Sequence, residues 1–465
     1  MVAALSNKPN IILINCDDLG YGDLGCYGSS VNKTPNIDFL AREGMMFTDF
    51  YSASPVCSPS RGALMTGCYP KRIGFESFDG DHVLFSGHAV GLNRSEFTIP
   101  QMLKEEGYTS MIIGKWHCGD QEEFLPLQHG FDRYYGLPYS NDMGRQRRKH
   151  GIQEELDKRY PPLPLIYNNK VIQEQPDQGP LIERYVEHAT MFIRENNDKP
   201  FFLYFAPLQV HLPLYAPQRF VDESQNGDFG ACVAAVDWAL GAMIQELKDQ
   251  GLYENTLLIF TSDNGSRGDN GASNAPLRGR KGFTYEGGMR VPCIMSWKGK
   301  IKGGRKCSNI ASNIDFLATL ASICGGELPT DRIVDSVNMT PLLLKDQEKE
   351  YKRQTMLYYS RENLEAVRVG KWKLHFRKRE NVINELYDLE NDIGETKNVF
   401  DENPGIVQQL QAYAKECVKD LGDKARDVKG ENVREIGRAK NPKMLTTYNP
   451  DHPYIVALYD KIETG

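Results

Sequence analysis

Five short apolar runs, at 10–14, 109–113, 201–205, 256–260 and 291–295, punctuate this 465-residue chain, and stretches of helical spacing separate them. Runs as continuous as Asn10-Ile-Ile-Leu-Ile14 and Phe201-Phe-Leu-Tyr-Phe205 suit strands covered on both faces. Strands alternating with helices give an α/β fold: a large mixed, mostly parallel sheet flanked by helices. Between the first two runs, Thr98-Ile-Pro-Gln-Met-Leu-Lys-Glu-Glu-Gly107 predicts a helix capped by Thr98, with Pro100 in its first turn and Gly107 ending it. Over 229–249, Val233, Val236, Leu240, Met243, Ile244 and Leu247 recur every three or four residues, which predicts a helix with one apolar stripe laid on the sheet.

Two regions depart from this alternation. Residues 140–180 carry Arg145, Arg147, Arg148 and Lys149 and then Pro161-Pro-Leu-Pro164, and read as an inserted loop region with solvated charge. Beyond about residue 345 the runs alternate in polarity: Met356–Tyr359, Leu364–Val369, Lys371–Phe376 and Glu385–Asp388, with Gly370 marking a turn and a helix expected over 403–420. The expected division is a larger N-terminal domain at 1–345 and a smaller subdomain at 346–465, built as an antiparallel sheet plus helix.

Composition sets outer limits. With 55 Lys+Arg against 62 Asp+Glu the net charge is −7, which argues against broad nucleic-acid binding. No apolar run approaches the roughly 18 residues of a membrane span. The first residues, Met1-Val-Ala-Ala-Leu5, lack the basic region of a signal peptide. The chain therefore reads as cytoplasmic, or as periplasmic, secreted or lysosomal if a signal has been removed. Its ten cysteines form no C-x-x-C pair, so reduced thiols are favoured, and oligomeric state is left open.

The chemistry collects where strands end. The first run leads to Cys16-Asp17-Asp18, the second to Lys115-Trp116-His117, the third to His211 and the fourth to Asp263-Asn264. Ligands of open parallel sheets sit beyond the carboxyl ends of strands, so these groups are expected to face one crevice. Asp17, Asp18, Asp263 and Asn264 offer hard oxygen donors and no soft ones, a set suited to Ca²⁺ or Mg²⁺. Either pair alone would pass for ordinary turn residues; the matched positions after two strands favour metal. Gly20-Tyr-Gly-Asp-Leu-Gly25 matches a dinucleotide fingerprint, but two carboxylates just before it would repel pyrophosphate, and a turn is the better reading. Cys57 and Arg61 fall at a helix start after a Pro-rich loop, where an anion is favoured.

Cys57-x-Pro-x-Arg61, with Asn10–Gly28, Gly114–Gly119, Gly136–Asn141, Thr261–Gly265, Gly282–Arg290 and Leu386–Glu395, resembles the type I sulfatases of the alkaline-phosphatase-like superfamily, in their arylsulfatase-like branch, over nearly the whole chain. The resemblance implies that Cys57 is oxidised to formylglycine by a formylglycine-generating or anaerobic sulfatase-maturing enzyme. One hydroxyl of the aldehyde hydrate would bind Ca²⁺ and attack sulfur, and the other would later lose its proton and expel sulfate. It also implies that Asp17, Asp18, Asp263, Asn264 and residue 57 hold the ion, and that Arg61 and Lys115 hold the hydrate. His117 would assist its collapse, His211 and Lys281 would stabilise the departing alcohol, and Ser140 would bind sulfate. Departures from the family pattern are Cys118, Cys68 and Leu214, the last standing where many members carry a further histidine. Arg290 and Glu286 are as readily a structural pair as substrate contacts and stay outside the catalytic set.

The expected activity is hydrolysis of a sulfate monoester, first of a sulfated carbohydrate, to alcohol and inorganic sulfate. The rivals are a phosphonate monoester or phosphodiester hydrolase of the same superfamily and a non-catalytic binder of sulfated glycans. Specificity is expected in the loops 75–95 and 140–180.

Overall fold

The computed structural model describes residues 8–145, 147–150, 153–156, 159–344 and 348–448. Its main sheet has ten strands. Across the sheet they are Lys170–Glu174, Pro164–Tyr167, Arg133–Leu137, Thr109–Lys115, Phe201–Ala206, Asn10–Cys16, Thr256–Ser262, Cys293–Ser296, Met45–Phe47 and Arg305–Cys307. The central five, from Arg133–Leu137 to Thr256–Ser262, run parallel, with Ile11 beside Phe202 on one side and Leu257 on the other. Asn10–Cys16 and Phe201–Ala206 are buried at every position, as strands between two helical layers must be.

The fifth apolar run forms Cys293–Ser296, and it runs antiparallel to Thr256–Ser262. Its direction has a simple cause. The chain leaves Ser262 at the carboxyl end of the sheet and returns through the short helix Glu286–Met289 at that same end, so no crossover carries it back.

Thr98 caps the helix Ile99–Glu105 through Gln101 in a reciprocal capping box, with proline in the first turn. The 229–249 stripe lies within the helix Gly227–Asp249, whose Val233, Val236, Leu240, Met243, Ile244 and Leu247 are all buried. This helix is long and apolar enough to cross a membrane by length and composition, but 67% of its most apolar window is buried inside the fold.

The expected inserted loop is corrected by the structure. Pro164–Tyr167 and Lys170–Glu174 form a hairpin that pairs antiparallel with Arg133–Leu137 and extends the sheet edge. Arg145 is not solvated: it is 2% exposed and stands over the ring of Tyr448. The side chains of Arg147, Arg148 and Lys149 lie outside the described residues.

Thr355–Ser360, Asn363–Val369, Trp372–Lys378 and Asn381–Asp388 form an antiparallel meander in chain order. The helix Pro404–Leu421 covers one face, burying Val407, Leu410, Ala414 and Leu421 in the same cluster as Leu364, Leu374 and Leu386. Between this sheet and the main body lies a buried polar network. Glu286 accepts Lys373 Nζ at 2.8 Å and Tyr358 Oη at 3.1 Å, and Arg290 pairs with Asp49 at 2.9 Å and Glu286 at 3.4 Å. Glu286 and Arg290 are therefore structural partners across this interface. All ten cysteines are free thiols.

Candidate active site

Every polar group expected beyond the strand ends converges on one crevice. The turn after Asn10–Cys16 delivers Asp17 and Asp18, and the turn after Thr256–Ser262 delivers Asp263 and Asn264. The two turns are tied directly: Asp263 N donates to Cys16 O at 3.0 Å, and Asp18 N to Asp263 Oδ1 at 3.2 Å. The strand Thr109–Lys115 reaches the crevice through Gly114, whose φ is +104° and where a Cβ would come within 1.9 Å of Ala206 O. Only glycine allows that approach. Asp18 and His117 themselves take φ of +61° and +60°, a conformation costly for residues with a Cβ and concentrated at functional sites.

Cys57 opens the helix Cys57–Thr66, every residue of which is buried and whose first turn has no side-chain cap. Its free N–H groups and dipole favour an anion at that end. One turn on, Arg61 reaches Asp263 Oδ2 through Nε at 2.8 Å and Nη2 at 2.7 Å, and donates to Lys115 O at 3.0 Å. Lys115 Nζ meets Asp17 Oδ2 at 2.6 Å, and Lys281 Nζ meets Asp18 Oδ1 at 2.7 Å. Asn264 Nδ2 donates to Asp18 Oδ1 at 2.8 Å.

His117 Nε2 lies 2.9 Å from Leu84 O, a group that can only accept, so that nitrogen carries the proton and Nδ1 keeps its lone pair. Nδ1 is buried without a hydrogen-bond partner. His211 Nδ1 is 3.5 Å from Ser140 Oγ, and its Nε2 is 3.7 Å from Asp18 Oδ2. Cys57, His117, Ser140, His211 and Lys281 line one cavity of about 660 Å³.

The charges explain the protonation states. Burial would raise the Asp17 carboxyl, but Lys115, His211, Arg61 and Lys281 hold it far below the ordinary range. Burial and the charges of Asp17 and Asp18 push Asp263 up to about 6, even beside Arg61. Burial also lowers both histidines, helped by Lys115 at His117 and by Lys281 at His211, so both rings are neutral near pH 7. The Cys57 thiol is raised by burial, which Lys115 and Lys281 only partly offset.

Three carboxylates crowd one point, and two oxygens there, Asp17 Oδ1 and Asn264 Oδ1, are buried without hydrogen bonds. Orphaned hard oxygens among crowded carboxylates fit a divalent cation. Donor atoms of Asp17, Asp18 and His211 also lie within 4.8 Å of one another, so His211 stands closer to the acidic pair than a role toward the alcohol alone required.

His82 and Asp142, from the loops 75–95 and 140–180 expected to carry specificity, line the same cavity. Sequence reasoning missed the rest of the outer wall, Arg280, Arg361 and Arg379. Arg361 and Arg379 stand at hairpin tips of the C-terminal sheet; the strand pattern located those tips approximately, but nothing in it pointed them at the crevice.

A parallel core with an antiparallel edge, carrying oxygen donors, cations and a helix N-terminus at one crevice, defines a hydrolase of the alkaline-phosphatase-like fold. The chain belongs to the sulfatase family: the Sulfatase family model matches residues 9–326, and a model for the C-terminal part of N-sulphoglucosamine sulphohydrolase matches 280–424. It is an enzyme that hydrolyses sulfuric esters. It is 37% identical to N-acetylgalactosamine-6-sulfatase of Canis lupus familiaris over 80% of this chain and 73% of the relative. To human arylsulfatase A it is 37% identical, over 88% of this chain and 87% of the relative. The structure of Ps i-CgsB bound to k-i-k-neocarrahexaose superposes with a TM-score of 0.77 and 31% identity, covering 88% of this chain and 92% of the other.

Proposed function

We propose that the chain removes sulfate from a sulfated carbohydrate, with Cys57 oxidised to formylglycine and with Ca²⁺, or Mg²⁺, held by Asp17, Asp18, Asp263, Asn264 and residue 57. The observation that carries this reading is the seat of Cys57, at an uncapped helix N-terminus in the cavity shared with His117, Ser140, His211 and Lys281. A buried thiol with a raised pKa is a weak nucleophile and a poor partner for a hard cation. The aldehyde hydrate and the cation together supply what the thiol lacks: a hydroxyl nucleophile and polarisation of the sulfate oxygens.

The remaining chemistry belongs to the surrounding side chains. Arg61 and Lys115 orient residue 57 and balance negative charge beside it. His117 Nδ1, with its free lone pair, exchanges the proton of the residue 57 hydroxyl. Ser140 donates to a sulfate oxygen. Lys281, as the charged donor, and His211 stabilise the departing alcohol oxygen.

A sugar is supported by Asp142, whose Oδ1 lies buried at the cavity without a hydrogen-bond partner and suits a sugar hydroxyl, and by the flanking rings of Phe85 and Phe283. Relatives named for a sulfated amino sugar and crystallised with a neocarrahexaose point the same way. The maturation partner is a formylglycine-generating or anaerobic sulfatase-maturing enzyme. Mass spectrometry of the Cys57 peptide from active native enzyme, alongside turnover of matched sulfate and phosphonate esters, tests the reading. The aldehyde mass and a preference for sulfate are expected; a persistent thiol in fully active enzyme would remove the nucleophile.

A further inference from the structure

Two hairpin tips of the C-terminal sheet border the cavity. Ser360 pairs with Asn363, leaving the two-residue tip Arg361-Glu362, and Lys378 pairs with Asn381, leaving Arg379-Glu380. In both tips arginine takes the first position with φ of +54°. Two-residue hairpin loops that turn φ positive at this position favour glycine or asparagine, because a larger side chain crowds the neighbouring carbonyl. The same residue pair thus opposes the local backbone preference twice, and strain of this kind persists where the side chain serves another demand.

What those side chains line identifies the demand. Arg361 and Arg379 border the 660 Å³ cavity together with Arg280, from the segment just before Lys281. Among the described residues, none of the three guanidinium groups lies within 4.0 Å of a carboxylate oxygen, although the charge of Arg280 helps lower Asp269, and Arg379 stands 4.9 Å from the ring centroid of Phe283. The other cations of the wall are engaged: Arg267 pairs with Asp269 at 3.1 Å and Lys281 with Asp18 at 2.7 Å. Of the acidic groups there, Glu365 already accepts Thr284 Oγ1 and Arg379 N, leaving Asp142 and Glu380 against three arginines. His82 on the same wall registers the field: burial lowers its pKa, and Arg361, Lys281 and Arg379 lower it further. In a chain of net charge −7, three uncommitted guanidinium groups on one cavity are a place for negative charge. The reacting ester does not account for it: Ser140 serves its sulfate oxygens, and His211 and Lys281 serve its alcohol oxygen, on the same cavity.

We propose that Arg280, Arg361 and Arg379 form a subsite for a second anionic group, a sulfate or a carboxylate, carried by the saccharide beside the ester that is cleaved. The inference rests on the sulfatase reading of this cavity. Guanidinium matches either anion with paired hydrogen bonds, so the substrate class is a polyanionic saccharide rather than a singly sulfated one.

Affinity and turnover are measured separately. Calorimetry on Cys57→Ala compares a monosulfated hexosamine, the same sugar with a second sulfate, and the same sugar joined to a uronic acid. The second anion is expected to tighten binding by about tenfold or more, and the two arms tell sulfate from carboxylate. Adding Arg361→Asn and Arg379→Asn, which keep a residue tolerant of positive φ, should bring the gain to within about twofold, with thermal melting as the check on folding. Equal affinity for singly and doubly charged sugars, or a gain that survives both substitutions, overturns the subsite. Turnover of 4-nitrophenyl sulfate by the matured enzyme separates the two readings. Its absence beside a clear affinity difference removes the chemistry and leaves the subsite; its presence with no affinity difference removes the subsite alone.

Discussion

Asp263 joins the two halves of the crevice: one oxygen takes the Arg61 fork and the other the Asp18 backbone. Asp263→Asn keeps the shape and removes a charge. The expected result is loss of ester turnover by roughly 10²–10⁴-fold with little change in far-UV circular dichroism. Turnover within a fewfold of the parent would take Asp263 out of the ion's shell. A second residue-scale expectation concerns His129, buried beside Trp116, where burial lowers its pKa to about 3. In the unfolded chain an ordinary histidine titrates near 6.5. The unfolded state therefore binds the extra proton first, and stability contributed by the neutral ring is full above about pH 6.5 and lost as pH falls toward 3. The slope is at most about 1.4 kcal/mol per pH unit. Urea midpoints between pH 7 and 4 should show it, and His129→Phe should flatten it.

At the scale of elements, strand ends carry the function and helix starts aim it. Gly114 links the two, since Lys115 reaches Asp17 only if the strand passes Ala206 O at close range. Gly114→Ala should cost roughly 2–4 kcal/mol in denaturant unfolding and lower turnover more than stability alone would, because Lys115 and His117 shift together. An unchanged midpoint would mean the strand relaxes freely. The central strands, the Thr98 cap and the long apolar helix were legible because each is set by local periodicity or one side chain. The reversed direction of Cys293–Ser296 was not legible, since direction depends on which end of the sheet the chain returns to. The hairpin added at the edge by 164–174 was also hidden, its prolines reading as loop.

For the whole molecule, the buried network at Glu286 fastens the C-terminal sheet to the main body, and that docking builds the outer wall of the cavity. Lys373 is fully buried between Glu286 at 2.8 Å and Glu395 at 3.0 Å. Lys373→Met removes one cation from a dry cluster and should destabilise the protein by about 3–5 kcal/mol, read as a lower melting temperature. A melting temperature at or above the parent's would show that the pairing contributes no net stability.

The central strands, the long apolar helix, the polar residues at strand ends and the hard-oxygen set followed from the chain itself, because spacing of apolar residues and donor chemistry are local properties. Only tertiary structure decided that Arg145 is buried against Tyr448, that Glu286 and Arg290 serve an interface, and that two arginines at hairpin tips face the crevice. Each of those depends on how remote segments dock, and a side chain's environment is set by what packs against it.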